Sequence, residues 1–196
     1  MSRNWEIASS NYGTLFADEP DVDRLNQANA IWDSDAKGAA EVYHDLAALG
    51  SVSAMTELGN CYGWGRGVTA DFDKAVARFR QAIGAGSWLA TLSYAHFLAK
   101  HRCFPDCEAV LEGGVDAEWV PAYFWLAWYR LEQSNSLKTY SEIRPLIEYA
   151  AKNGHPAARY FFVRFMMKGK FGIREIPHGF RLATEWFGPD SGKTDA

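Results

Sequence analysis

The chain has 196 residues, 48% of them hydrophobic and 15% aromatic, and its net charge is −4. This apolar content argues against disorder in the body of the chain, and a mildly acidic chain without a Lys/Arg run has no electrostatic footprint for nucleic acid or anionic membranes. Its three cysteines cannot form a complete disulfide framework, and no apolar run suits a secretory signal or a membrane span, so we expect a reduced, cytoplasmic protein.

The first predicted elements are two helices. Val22, Leu25 and Trp32 lie at helical spacing, which predicts a helix over about 20–32. A second helix is predicted to end at Gly50. Its core residues are expected to be Ala39, Tyr43 and Leu46.

Residues 54–86 form the most regular helix pair in the sequence. Leu58, Cys61 and Tyr62 share one stripe of a first helix, and the glycines after it favour the left-handed backbone that ends helices. The carboxylate of Asp71 is placed to accept the free N–H groups of a second helix. The core face of that helix is predicted to consist of Ala75, Phe79 and Ala82.

The small residues of this pair recur with a period of 36 residues. Ala54 returns as Ala90, then after a shorter step of 32 residues as Ala122, and again as Ala158. A period of this size is typical of stacked helix pairs, in which each pair buries one face against the next. The sequence therefore predicts an all-α array.

Residues 54–86 resemble the Sel1-like repeat (SLR), a relative of the tetratricopeptide repeat. The residues that carry the resemblance are Ala54, Leu58, Gly59, Tyr62, Gly65, Gly67, Val68, Asp71, Lys74, Ala75, Phe79, Ala82 and Gly86. The resemblance covers about 36–187 and implies a right-handed α-α superhelix, or solenoid, of about four helix pairs. Together with the first helix, this gives a single domain over 1–187 and a flexible tail over 188–196.

The second copy is degenerate and lacks the glycine turn. A helix over 88–100 is followed by a break at 102–106, where we expect the four missing residues to fall. A short helix over about 106–112 is predicted next. Gly113 and Gly114 are expected to end it.

The third and fourth copies are also degenerate. The third consists of a helix over 118–133 and a partner helix over about 140–153, in which Pro145 predicts a kink or a later start. The fourth keeps a glycine turn at 169–173. It is predicted to end with a helix over about 177–186.

The first helix of the third copy is unusually aromatic. Residues 119–129 contain six aromatic side chains, more than one core-facing stripe of a helix can hold. By register with the first copy, Phe124, Leu126 and Tyr129 take the core positions. Tyr123, Trp125 and Trp128 are therefore expected to lie outside the core-facing stripe.

Six residues on the first helices of the third and fourth copies form the predicted partner-binding patch. By register they match Met55, Glu57 and Asn60, which we expect to face solvent or a concave groove. The patch consists of Tyr123, Trp125, Trp128, Arg159, Phe161 and Arg164. Trp, Tyr and Arg are enriched in binding hot spots, and exposed apolar patches often mark an interface. The alternative is that long terminal helices or the segment 180–187 cover these rings.

A competing hypothesis is a metal site within 96–107, where imidazole and thiol groups cluster. The candidate ligands are His96, His101, Cys103 and Cys107. Zinc needs such groups to converge in a tetrahedron, but a Cys-x3-Cys spacing interrupted by Pro105 is not a common zinc motif. We therefore predict an irregular loop, with no bound metal and no cofactor.

The resemblance implies a non-enzymatic scaffold or adaptor that binds a protein on its concave face. Bacterial proteins of this kind act as adaptors, as regulators of secretion or envelope polysaccharide, and as immunity proteins. The partner is accordingly expected to be a toxin, a secretion protein or a regulatory protein. A metal-binding or enzymatic protein on the same solenoid is the alternative, and burial of the aromatic patch in a homodimer is a third hypothesis.

Overall fold

A computed structural model describes residues 19–188. In this part of the chain the regular elements are ten α-helices and one 3-10 turn, without a strand. The helices are α1 (Val22–Ile31), α2 (Ala36–Ala48), α3 (Val52–Trp64), α4 (Phe72–Gly84), α5 (Trp88–Lys100), α6 (Phe104–Asp116), α7 (Val120–Gln133), α8 (Leu137–Lys152), α9 (Pro156–Met167) and α10 (Ile176–Phe187). The 3-10 turn, Ile173–Glu175, leads into α10. The predicted all-α fold is confirmed.

The described helices fall into two compact units, which divide between Leu111 and Glu112 inside α6. In the first unit, α3 packs on α2, α4 and α5. In the second, α8 packs on both α7 and α9, and α10 packs on α9. A single domain over 1–187 stays a prediction, and the predicted tail lies outside the described residues after Gly188.

The alanines that define the repeat lie at helix contacts. All four are fully buried, each with 0% of its surface exposed: Ala54, Ala90, Ala122 and Ala158. Gly59 shows why small residues are needed between α3 and α4, because a Cβ there would lie 2.8 Å from the ring of Phe79. Close helix approach at small side chains, as the period predicted, is therefore confirmed.

The second helix of the first copy begins and packs as predicted. Asp71 accepts a hydrogen bond at 3.0 Å from the backbone N–H of Lys74, which satisfies one free donor of the first turn of α4. This backbone hydrogen bond, and then the hydrogen bond from the Lys74 side chain, lower the pKa of the Asp71 carboxyl. Ala75, Phe79 and Ala82 are completely buried.

The first helix of every copy follows two residues with the same backbone conformation. These first helices are α3, α5, α7 and α9. The first residue has a positive φ, of 96° at Gly50, 89° at Gly86, 54° at Glu118 and 89° at Gly154. The second is extended and immediately precedes the helix. The extended residues are Ser51, Ser87, Trp119 and His155.

The second copy departs from the prediction at its second helix. α6 runs through Gly113 and Gly114 to Asp116 instead of ending at the glycines. Gly114 permits a close approach, because a Cβ there would lie 2.7 Å from the Cβ of Ala122. Only the three residues 101–103 separate α5 from α6, against seven, 65–71, between α3 and α4. The four missing residues therefore do fall at this break.

The predicted effect of Pro145 on α8 is wrong in one respect. The helix begins at Leu137, earlier than predicted, and continues through Pro145 to Lys152. Ser136 caps it by accepting a hydrogen bond at 3.1 Å from the N–H of Thr139. Pro145 lies on the exposed side of the helix, where water can replace the backbone hydrogen bond that proline removes.

Candidate functional site

The second unit contains a groove of about 460 Å³ that we call the aromatic groove. Three of the six residues predicted for partner binding line it, namely Trp128 on α7 and Phe161 and Arg164 on α9. The other lining residues are Leu131, Glu132, Asn135, Tyr140, Phe165, Lys168 and Lys170. The structure thus brings half of the predicted set into one concave surface.

The rings of the aromatic groove are held in place by their neighbours. The centroids of Trp128 and Phe161 are 5.1 Å apart, and the buried ring of Phe124 lies 6.1 Å from the first and 6.2 Å from the second. The indole N–H of Trp128 donates a hydrogen bond at 2.9 Å to Glu132 Oε1. The groove therefore has a fixed apolar wall.

Positively charged side chains also line the aromatic groove. Arg164 donates a hydrogen bond at 2.6 Å to the hydroxyl of Tyr160, and the Nζ of Lys170 lies 4.7 Å from the ring centroid of Tyr140. Burial raises the pKa of the Tyr140 hydroxyl, so this ring stays neutral beside the ammonium group. With Lys168, the lining holds three cations against the single carboxylate of Glu132.

Tyr123 and Trp125 make contacts within the second unit instead of lining the aromatic groove. Tyr123 stacks on Tyr149 with centroids 4.1 Å apart and donates its hydroxyl to the Val115 carbonyl at 3.2 Å. Burial, and then the proximity of Tyr149, raise the pKa of Tyr123. The ring of Trp125 stands edge-on to Phe124 at 5.2 Å.

Arg159 also lies apart from the aromatic groove. Its Nε donates a hydrogen bond at 3.1 Å to the carbonyl of Ala151 near the end of α8. Its guanidinium carbon lies 5.6 Å from the ring centroid of Trp186 on α10. The segment 180–187 therefore covers part of the predicted patch at Arg159.

A second groove, also of about 460 Å³, lies between α9 and α10, and we call it the terminal groove. Its walls are mainly apolar and include Tyr160 and Phe187, which are 48% and 53% exposed. The full lining is Tyr160, Val163, Arg164, Met167, Lys168, Ala183 and Phe187. Arg164 and Lys168 therefore line both grooves.

Sequence analysis missed several residues of the two grooves. Tyr140 lies on a second helix, whereas the register argument considered first helices only. Lys168 and Lys170 flank Gly169 at the end of α9, where cations have an ordinary structural explanation in the helix dipole. The available signal was their spacing after Arg164, which places all three cations within seven residues.

Two positions of the first copy that were predicted to be open are buried. Met55 and Asn60 are buried, with 6% and 8% of their surfaces exposed. Asn60 Nδ2 donates a hydrogen bond at 3.1 Å to Glu57, which is half-buried. These positions do not form an open face in the first copy.

The residues considered for a metal site have other surroundings. The ring of His101 packs against Phe97 and Phe72, with centroids 4.6 and 5.2 Å away, and Cys107 is completely buried. Within residues 19–188, no group of three or more His, Cys, Asp or Glu side chains could hold a metal ion. His96, His101, Cys103 and Cys107 thus do not form a ligand set there.

The fold is similar to that of a Sel1 repeat protein from Oxalobacter formigenes. The TM-score is 0.62 at 17% sequence identity, over 93% of this chain and 83% of the other. A protective antigen from uropathogenic Escherichia coli strains, which displays an SLR fold, aligns with a TM-score of 0.47 and 15% identity over 93% of this chain and 48% of its own. The first comparison establishes that the chain has the Sel1-like repeat fold.

No protein-family model and no curated protein sequence matches the chain. Among the described helices, none is both long enough and apolar enough to cross a bilayer. The resemblance stated from residues 54–86 is therefore confirmed at the level of fold.

Proposed function

We propose that this chain is a non-enzymatic protein-binding scaffold or adaptor whose partner docks in the aromatic groove. The observation that carries the proposal is the convergence of Trp128, Phe161 and Arg164 on one concave surface. Trp and Arg are enriched among binding hot spots, and Phe is enriched at protein interfaces. Helical repeat proteins commonly use extended surfaces of this kind to hold partners.

The contacts around the rings favour binding because little side-chain freedom remains to be lost. Trp128 is fixed by its hydrogen bond to Glu132 and by its contacts with Phe124 and Phe161. Arg164 is held by Tyr160. A partner that docks there avoids much of the entropy cost of ordering an interface.

Within this proposal, the partner is a toxin, a secretion protein or a regulatory protein, and the chain acts in the cytoplasm as an adaptor or an immunity protein. The gene neighbourhood separates these roles, because each predicts a different adjacent gene. An adjacent toxin gene supports immunity, whereas a secretion or polysaccharide cluster supports regulation.

Site-specific photo-crosslinking tests the proposed docking site. A photoreactive amino acid at Asn135, which lines the aromatic groove, should crosslink to the partner in cells. The matched control is Lys138, which lies outside the groove lining with 86% of its side chain exposed. After mass spectrometry identifies the partner, Trp128→Ala should weaken its binding by at least about tenfold without changing helicity.

The possible outcomes separate the hypotheses. A partner crosslinked equally from Asn135 and Lys138, or bound equally by Trp128→Ala, would overturn docking in the aromatic groove. Crosslinks between two copies of the chain would replace this proposal with self-association. Stoichiometric zinc that disappears in a Cys103→Ser/Cys107→Ser variant would instead favour the metal-binding alternative.

A further inference from the structure

A basic ridge on α9 separates the two grooves of the second unit. Arg164 and Lys168 line both the aromatic groove and the terminal groove. We propose that the partner presents an extended acidic peptide segment, with one apolar side chain in each groove and a carboxylate over the ridge. This inference rests on the proposed function and names the chemistry of the segment that binds.

The terminal groove has the character of a second apolar anchor site. Tyr160 and Phe187 leave about half of their surfaces in solvent on its walls, and Val163 and Met167 complete the apolar lining with Ala183. Concave apolar surfaces bordered by polar groups are typical of binding sites. An aliphatic or aromatic side chain of a partner fits this environment.

Contacts between α9 and α10 fix the shape of the terminal groove. At Gly179 the helices approach so closely that a Cβ would lie 2.8 Å from the backbone nitrogen of Met167. The turn before α10 is tied to α8 by the Arg144–Glu175 ion pair at 3.0 Å. The hydrogen bond from Arg144 also lowers the pKa of the Glu175 carboxyl, which favours the charged form of the pair.

The charge of the ridge selects an acidic segment. Arg164 and Lys168 form the ridge, Lys170 adds a third cation to the lining of the aromatic groove, and Glu132 is the single carboxylate among the described residues that line either groove. Glu132 already accepts the indole N–H of Trp128. Because like charges disfavour association and opposite charges steer it, acidic peptides should bind better than basic ones.

The same features favour a peptide over a nucleic acid or a membrane surface. Nucleic acid binding draws most of its affinity from many phosphate contacts along a basic track. Here two cations, Arg164 and Lys168, lie between the two grooves and a third, Lys170, lines the aromatic groove, on a chain of net charge −4. An extended peptide can place apolar and acidic side chains alternately along this surface.

Selection from a random peptide library on the purified full chain tests the inference. The wild-type protein should enrich peptides with Asp or Glu between two large apolar residues. Arg164→Glu/Lys168→Glu should enrich Lys or Arg at the same central position. Lys138→Glu/Lys152→Glu is the control, because it reverses two charges on α8 outside the groove linings and should select the wild-type sequences.

Fluorescence polarisation with the most enriched acidic peptide then measures the effect. Arg164→Glu/Lys168→Glu should weaken binding of this peptide by at least about tenfold. A peptide with Lys in place of the acidic residue should bind the variant with restored affinity. Trp128→Ala and Ala183→Glu, one change in each groove, should each weaken binding while helicity is retained. Rising salt should weaken the wild-type complex.

The outcomes distinguish this inference from the proposal on which it rests. Selected peptides that depend on Trp128 but lack acidic residues would overturn the acidic ridge and leave the aromatic groove as the docking site. Peptides that bind equally well to Trp128→Ala would count against both. Tighter binding to a single-stranded oligonucleotide or to phosphatidylserine vesicles, lost in Arg164→Glu/Lys168→Glu, would replace the peptide with that ligand.

Discussion

The residues that lead into the first helices differ between the two units although their backbones agree. In the first unit, Ser51 and Ser87 cap α3 and α5 by accepting the N–H of the residue three positions later, at 3.0 and 3.1 Å. In the second unit the same places hold Trp119 and His155. The dihedrals remain alike, with φ −61° and ψ 113° at Ser51 and φ −64° and ψ 113° at His155.

The exchanged side chains pack against other residues of the second unit. The imidazole of His155 still caps α9 through Nδ1 at 3.1 Å, and its ring stacks on Phe124 at 4.4 Å. Trp119 makes no side-chain capping bond, but its ring lies against Gly114, where a Cβ would be 3.1 Å from Trp119 Cε3. The repeat thus keeps its backbone path while its sequence changes, and His155 stacks on Phe124, the buried ring that contacts Trp128 and Phe161.

The largest expected effect concerns the pH dependence of stability, because the capping side chain of His155 can take up a proton. Burial lowers its pKa to about 4, against about 6.5 in an unfolded chain. The unfolded chain therefore binds the proton more readily, and stability present above pH 6.5 is lost as the pH falls towards 4. The free energy of unfolding is expected to fall by up to about 3 kcal/mol. Urea unfolding between pH 7 and pH 4 measures this change.

His155→Asn is the matched control for the acid effect. An Asn side chain supplies a capping oxygen but does not titrate in this range. Its stability should fall less steeply with acid than that of the wild type. Equal slopes for the two proteins would show that His155 is not the group responsible.

The adjacent glycines of α6 provide the next largest test. Gly114→Ala should destabilise the second unit by about 1–3 kcal/mol, since the new Cβ would overlap the Cβ of Ala122. Gly113→Ala meets no atom within 4 Å and should stabilise the helix by about 0.4–1 kcal/mol. Thermal unfolding followed by circular dichroism measures both, and changes of the same sign would contradict the close contact.

Glu118 offers a smaller test at the third copy. A side chain with φ of 54° costs about 1 kcal/mol relative to glycine, so Glu118→Gly should raise stability by about that amount. The reciprocal change, Gly86→Glu, should lower it similarly because no neighbour lies within 4 Å of a Cβ there. Chemical denaturation measures the stability of both variants. If the two substitutions did not change stability in opposite directions, the two copies would not share this backbone conformation.

The smallest effect is expected at Tyr160, which positions Arg164 on the ridge. Tyr160→Phe removes the 2.6 Å hydrogen bond but keeps the ring under the guanidinium. Binding of the selected acidic peptide should weaken by roughly two- to fivefold, which corresponds to one modest hydrogen bond. Stability should be unchanged, and peptides without an acid should bind both proteins equally.

Most of the fold could be predicted because its determinants are local or periodic. The spacing of Ala54 and its equivalents predicts helix contacts. The carboxylate of Asp71 predicts a helix start, because it can accept the free N–H groups of a first turn. The length of α6 could not be predicted, because the reason for Gly114 is a contact with Ala122 and Trp119. A glycine pair alone does not distinguish a helix end from a close approach.

The candidate site was predictable in part. The surplus of rings on α7 indicated an aromatic surface, and Trp128, Phe161 and Arg164 do line one groove. Tyr123 and Arg159 contact Tyr149 and Trp186 instead. These neighbours belong to α8 and α10, and a register argument between first helices contains no information about them.

The helical periodicity, the small residues at helix contacts and the capped helix starts follow from the sequence, since each is visible as residue types at fixed spacings along the chain. Tertiary packing determines that the ring of Tyr123 is covered by Tyr149 and that Arg164 and Lys168 line both grooves. That choice follows from side chains of separate helices competing for the same volume, which no spacing along the chain records.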